Sequence, residues 1–253
     1  MHPLPTDGVL DHERPDMTSY RTQPIDEFLS GIASRRVTPA GGSASAVSGA
    51  IGASLCEMVC LHTVEKAGDD AVSHTGGCNS FTHQSLLSAE TDPFRLDSQF
   101  ECSRTYSHQY QELVEAGETL RTQRDGLLTL ADADAAVVDG LFGANGDQRD
   151  EQQLKRAIGI PLTIARACLT VVESAEVVAD TGTRTALADA ATGVMLARAA
   201  LQASLFTARS NLDAVPDQSF VDGIERRTTE IERTAEEHAE RVLQTINRRL
   251  ADA

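Results

Sequence analysis

One acid stands where a leucine would be expected. Leu113, Leu120, Leu127, Asp134 and Leu141 recur seven residues apart, so on a helix Asp134 shares the stripe that those leucines hold. A carboxylate in such a seam is costly unless it is paired, hydrogen-bonded or neutral. A neutral carboxylic acid in an apolar setting is a good proton donor near neutral pH. The alternative is that the seam opens to water near the helix end, or that an arginine pairs with the acid. Asp132 lies two residues away and points elsewhere, so the two do not form a dyad on one helix face. It is expected to matter much less.

A second candidate is the loop Thr38-Pro39-Ala40-Gly41-Gly42-Ser43, which opens onto a helix. Free N–H groups of Gly41, Gly42 and Ser43, with the helix dipole, favour an anion. The loop lacks the Gly-Lys-Ser/Thr of a phosphate-binding P-loop and has no strand before it. Asp189 opens a small-residue helix, where it could act or simply cap. Asn211 follows 22 residues later, about 33 Å along a straight helix at ~1.5 Å per residue. If both serve one site, that site lies between subunits. His74, Cys78, His83, Cys102 and His108 crowd one segment without a standard zinc spacing, so no metal is expected. Cys56 and Cys60 read as packing, not redox, residues.

Long helices must position these groups. Pro24 to Ser34 carries Ile25, Phe28, Leu29 and Ile32 at helical spacing. Ala44 to Val64 is rich in small residues, with Gly42, Ala46, Gly49 and Ala53 on one face, which predicts close packing against another helix. Ser45, Ser48, Ser54 and Glu57 argue against reading it as a membrane span. Residues 68–108 show little helical period and are expected to be a surface insertion with one short helix near Leu86-Leu87. One helix is predicted from about Tyr110 to Phe142, ending at Gly143 to Gly146. Another runs from about Glu151 to Ala179, with Pro161 expected to kink or split it. A third spans Thr185 to Asp213. The last starts at Pro216-Asp217, with Phe220, Ile224, Ile231, Ala235, Val242, Ile246 and Leu250 on one face. No strand alternation competes, so the fold class is all-α: an antiparallel bundle of about five or six long helices, dimeric, in one domain over 24–253.

Composition narrows the function. With Lys+Arg 22 against Asp+Glu 38, the net charge of the 253-residue chain is −16. Nucleic-acid phosphates and anionic lipid would both be repelled, so neither nucleic acid nor membrane is an expected partner. Lys66 and Lys155 are the only lysines, and an acidic, arginine-rich, lysine-poor composition resembles that of proteins of high-salt cytoplasm. Residues 1–23 are polar and proline-containing, which predicts a disordered tail without a secretory signal; Met17 is a second candidate start. Five cysteines without a CxxC pair make no disulfide framework, and the cytoplasm is the expected location.

Four segments in order resemble the cyclodeaminase/cyclohydrolase family. IDEFLSGIASRRVTPAGGSASAVSGAIGASLCEMV is similar to its opening helix, TPGGGS loop and small-residue helix. TLADADAAV resembles its D-A-D-A-x-A segment, IPLTIA its VPL-x-x-A helix, and LADAATGVMLARAALQASLFTARSNL the stretch between a Ser-Asp and an Asn-Leu pair. The match covers most of 25–250 apart from the insertion. It implies an all-helical enzyme, at least dimeric, acting without metal or bound cofactor on a tetrahydrofolate one-carbon adduct. It implies that Asp134 is the proton donor, that Asp189 joins it in catalysis, and that Gly41, Gly42, Ser43, Lys66 and Asn211 bind substrate. Departures fall at Ala40, for a loop glycine; at Glu65-Lys66-Ala67, where one basic residue stands for two; at Ala188, for the serine; and at Thr207, for an asparagine. No formimidoyltransferase domain accompanies the segments. The expected activity is therefore hydrolysis of 5,10-methenyltetrahydrofolate, with formimidoyltetrahydrofolate cyclodeaminase or a non-catalytic folate-binding or scaffold dimer as the alternatives.

Overall fold

The structure, a computed structural model, describes residues 19–75, 93–142 and 151–252, with side chains over 19–66, 108–141 and 151–252. Those residues are all-helical. A short α1 (Ile25–Ile32) precedes five long helices: α2 (Gly41–Thr75), α3 (Pro93–Phe142), α4 (Glu151–Thr181), α5 (Leu187–Ser210) and α6 (Gln218–Ala251). Single 3-10 turns sit before and after α5. The chain runs up, down, up, down, up. Gly42 meets Asp134 at one end of the α2–α3 pair and Gly117 meets Cys60 at the other, so these helices are antiparallel. The same holds for α2 and α5, where Gly52 touches Gly193 while Val59 touches Gly182, just ahead of α5.

The small-residue face of α2 is what allows this packing. Gly42, Ala46, Gly49 and Ala53 are all buried. A Cβ on Gly52 would lie 2.6 Å from the Gly193 carbonyl oxygen, and one on Gly193 would lie 2.7 Å from that of Gly52, so the two backbones touch. α2 and α4 are both long and apolar enough to cross a membrane by length and composition, yet here they are central helices of the bundle. Glu57 on α2 is buried and held by Arg124 at 2.6 Å and Arg121 at 3.3 Å.

Asp217 caps α6, accepting from the Phe220 N–H at 3.1 Å. Ile224, Ile231, Ala235, Val242 and Ile246 line its buried face as the spacing predicts, while Leu250 at the end is 39 % exposed.

Three expectations are corrected. The segment 68–108 is not a loop-built insertion where it is described: α2 continues to Thr75 and α3 begins at Pro93. A helix already nucleated by its packed part extends cheaply, with no apolar stripe to advertise it. Leu86-Leu87 and the predicted stop at Gly143 to Gly146 lie outside the described residues. The tail expected over 1–23 is ordered from Ser19, where it is tied to α3. And α4 is not split at Pro161: it continues through it as one helix. Pro161 has no N–H for the Ala157 carbonyl four residues earlier; the Asn211 side chain donates to that oxygen instead, at 2.8 Å.

Candidate active site

The leucine seam of α3 is buried as its spacing predicts, and Asp134 is buried within it, 6 % exposed. It makes no ion pair among the described residues, and the seam opens beside it into a cleft. The Ser43 hydroxyl donates to Asp134 Oδ2 at 2.9 Å. Burial pushes the carboxyl above its ordinary 3.8, and the polar groups of Ser43 pull part of the way back. The result is an acid that holds its proton more firmly than a surface aspartate.

Two candidates that looked separate in the sequence are therefore one. The start of α2 does meet a carboxyl group, that of Asp134. Ser43 has no side-chain exposure and also lies 3.2 Å from the Ala131 carbonyl. That pair of neighbours serves both protonation states. Ionised Asp134 accepts from Ser43; neutral Asp134 can donate to Ser43, which then donates to Ala131. Gly42 is needed for this contact, because a Cβ there would lie 2.1 Å from Asp134 Oδ1. Gly41 has nothing within 4 Å of such a position.

A cleft of about 290 Å³ opens over Asp134. Gly41, Gly42 and Ala40 form one wall, Val137, Val138 and Leu141 another, and Leu154, Ala157, Thr207 and Asn211 close it from α4 and the end of α5. Asn211 stands at the C-terminus of α5 and is held by its bond to Ala157. That carbonyl only accepts, so the amide must present its NH2 there, which leaves Oδ1 as an acceptor beside the cleft. Asp213 lies on the rim. Thr207 hydrogen-bonds its own helix through the Ala203 carbonyl.

Asp189 and Lys66 are elsewhere. They share a second cleft, of about 460 Å³, with Met58, His62, Glu65, Thr183, Thr185 and Ala186, at the opposite end of the α2–α5 pair. Within one chain Asp189 does not reach Asp134. Nor does it cap α5: the N-cap is Ala186, without a side-chain bond, and Asp189 is an exposed acid of the first turn.

The sequence reading missed Tyr20, which packs against the core and meets Phe28 edge-on with ring centroids 5.1 Å apart. It also understated Asp132, whose carboxylate holds Ser19 Oγ at 2.5 Å and the Tyr20 N–H at 2.8 Å. A lone tyrosine in a polar tail carries no periodic signal. Of the metal-suggestive residues, His74, Cys78, His83 and Cys102 lie outside the described side chains; His108 pairs with Glu112 at 3.3 Å. Among the described residues no group of three His, Cys, Asp or Glu is placed to hold a metal. Cys56, Cys60 and Cys168 are buried free thiols pushed up to about 12 by desolvation, consistent with packing.

The described residues form a helical bundle with a buried carboxyl, its pKa raised by desolvation, at the floor of a cleft. The chain belongs to the formiminotransferase-cyclodeaminase family, whose pattern it matches over residues 24–85 and 98–230. It is 29 % identical over 237 residues to the methenyltetrahydrofolate cyclohydrolase of Methylorubrum extorquens, a match that covers 88 % of this chain and 95 % of that protein. Its fold is similar to that of formiminotetrahydrofolate cyclodeaminase from Thermotoga maritima, with a TM-score of 0.68 and 20 % identity, covering 90 % of this chain and 97 % of the other.

Proposed function

We propose that this protein is a folate one-carbon enzyme that hydrolyses 5,10-methenyltetrahydrofolate to 10-formyltetrahydrofolate, with Asp134 as the general acid. The observation that carries the reading is a buried carboxylic acid with no cationic partner, held by Ser43 at the base of a cleft. Water adds to the methenyl carbon of the cationic ring and one of its protons passes to solvent. The departing nitrogen of the tetrahedral adduct takes a proton from Asp134; its bond to the carbon breaks as the adduct hydroxyl becomes the formyl carbonyl and returns its proton to the Asp134 carboxylate. Asp213 on the rim favours a cation approaching the cleft. The methyl and small walls at Ala40, Gly41 and Gly42 suit the flat face of a ring. No bound cofactor or metal enters this chemistry, and the enzyme acts in the cytoplasm, where its free thiols stay reduced.

The same reading makes the enzyme a homodimer. The outer faces of α2 and α5 carry Ile51, Leu61, Met195 and Phe206, the last 74 % exposed, and Ala199 and Gln202 lie between the two α5 positions. This uncharged stripe suits a second copy. The two clefts lie at opposite ends of it. A two-fold axis through the middle of the stripe would bring Lys66 and Asp189 of one copy to the Asp134 cleft of the other. Lys66 would then meet the anionic end of the folate.

Loss of the ultraviolet band of methenyltetrahydrofolate, with and without protein in high-salt buffer, tests the activity. Accelerated loss is the expected result. Ammonia release from formimidoyltetrahydrofolate instead would make the protein a cyclodeaminase. No turnover of either folate would leave a non-catalytic dimer.

A further inference from the structure

The C-terminal ends of α4 and α6 exchange arginines. α4 has no basic residue in its last turn, and the carbonyls at its end are answered from α6: Arg249 donates to the Ala179 carbonyl at 2.6 Å and to the Gly182 carbonyl at 2.9 Å. The return bond comes from Arg184, just past α4, which donates to the Leu250 carbonyl at 2.7 Å. Carbonyls at a helix C-terminus lack helical donors and form the negative end of the dipole, so a guanidinium suits them on both counts. The turn held in this way, Gly182 to Ala186, is also pressed onto α2. A Cβ on Gly182 would lie 2.8 Å from the Val59 side chain, and the Thr183 N–H donates to Thr63 Oγ1 at 2.7 Å. Thr183, Thr185 and Ala186 form one wall of the far cleft, with Lys66 on α2 and Asp189 on the first turn of α5.

We propose that Arg249, supported by Arg184, is a positioning residue for Asp189: it latches the turn from which α5 starts, and so sets where Asp189 stands in the far cleft. In a continuing helix the Ala179 carbonyl would take the N–H four residues on, that of Thr183. That N–H is spent on Thr63 instead, which is how the chain leaves α4 and seats on α2. The carbonyl left behind is on a buried residue, where an unpaired acceptor is costly, and Arg249 supplies its donor. The same guanidinium takes the Gly182 carbonyl, so one planar fork spans the end of α4 and the start of the turn. A lysine could supply the charge but not the fork. Without Arg249 the turn loses two of the bonds that hold it, and Asp189 moves with the turn. Arg249 is half-buried and Arg184 exposed, so Arg249 carries most of the latch.

The inference rests on Asp189 serving the Asp134 cleft of a second copy, and its test separates the two ideas. Amide hydrogen exchange reads the latch without reference to activity. In Arg249→Ala the Thr183 and Ala186 amides should exchange about tenfold faster, while those of Val171 and Val172 in the middle of α4 stay within about two-fold of the parent; Arg249→Lys should fall between. Unchanged exchange at Thr183, or an equal rise throughout α4, overturns the latch. With methenyltetrahydrofolate, Arg249→Ala should lower kcat/KM about tenfold and Arg249→Lys by less. Mixed in equal amounts with Asp134→Asn and allowed to exchange subunits, Arg249→Ala should reach about a quarter of parental turnover, because the other chain then supplies an intact Asp189 side. Mixed with Asp189→Asn, it should show only its own residual rate. Rescue by Asp189→Asn, or by neither variant, places the damage outside the Asp189 side and overturns the positioning role. If Asp134→Asn and Asp189→Asn do not rescue each other, or the parent turns over no folate, it is the proposed site or activity that fails, and the exchange rates decide the latch.

Discussion

Asp134 stands where a leucine would pack better, and the cost of keeping a carboxyl there is visible in its chemistry. Asp134→Asn should lower kcat by about 10²–10⁴, the usual worth of a positioned acid, measured as methenyltetrahydrofolate turnover. Stability should be unchanged or improved. The sign follows from linkage. The folded carboxyl titrates above the ordinary 3.8, so the stability it confers is complete below that value and lost as pH rises through the folded value. Asn has no such loss. The stability of Asp134→Asn relative to the parent should therefore grow as pH rises from 3.8, then level off; denaturant melts at a series of pH values would show it. A difference independent of pH would mean that the folded carboxyl is not raised.

The helices shape the cleft around the acid through two local devices. The first is the glycine at the second position of α2. Gly42→Ala would put a methyl group into the Asp134 carboxylate, whereas Gly41→Ala meets empty space. Gly42→Ala should abolish turnover or cut it at least as far as Asp134→Asn, while Gly41→Ala leaves it within a few-fold. Equal losses in the two variants would assign the loop some other role. The second device is the exchange between Pro161 and Asn211. Because Asn211 answers a carbonyl that the proline leaves without its helical donor, Asn211→Ala should cost about 1–2 kcal/mol. In a Pro161→Ala background, where the substituted residue would supply the missing N–H, the same change should cost less. Additivity in that double-mutant cycle would sink the exchange.

Across the whole molecule, the uncharged stripe of α2 and α5 predicts association. Phe206→Glu alters a side chain that is 74 % exposed in the single chain, so it should leave the helical circular dichroism intact. In a dimer buried on that stripe it should drive the protein to a monomer, read by light scattering in high salt. The composite site makes a sharper prediction. Asp134→Asn and Asp189→Asn should each be inactive alone. Mixed and allowed to exchange subunits, they should recover about a quarter of parental turnover, since half the dimers are mixed and each of those holds one intact site. No recovery, with exchange confirmed by mass, would place Asp189 outside the chemistry.

Much of this protein can be read from its sequence because periodicity is local. The leucine spacing of α3, the glycine and alanine face of α2 and the Asp217 cap of α6 each belong to a single helix, and each is found where the spacing places it. The buried position of Asp134 follows from the same local rule. Partnerships between helices do not. Ser43 reaches Asp134 across 91 residues and Tyr20 reaches Asp132 across 112, and both depend on the register in which neighbouring helices slide together. That register merged the glycine loop with the acid, sent Asp189 and Lys66 to the far cleft, and made Asn211 the answer to Pro161. Helix lengths were hidden for a related reason: a helix nucleated elsewhere along its length extends without an apolar stripe, so those residues carry no period to read.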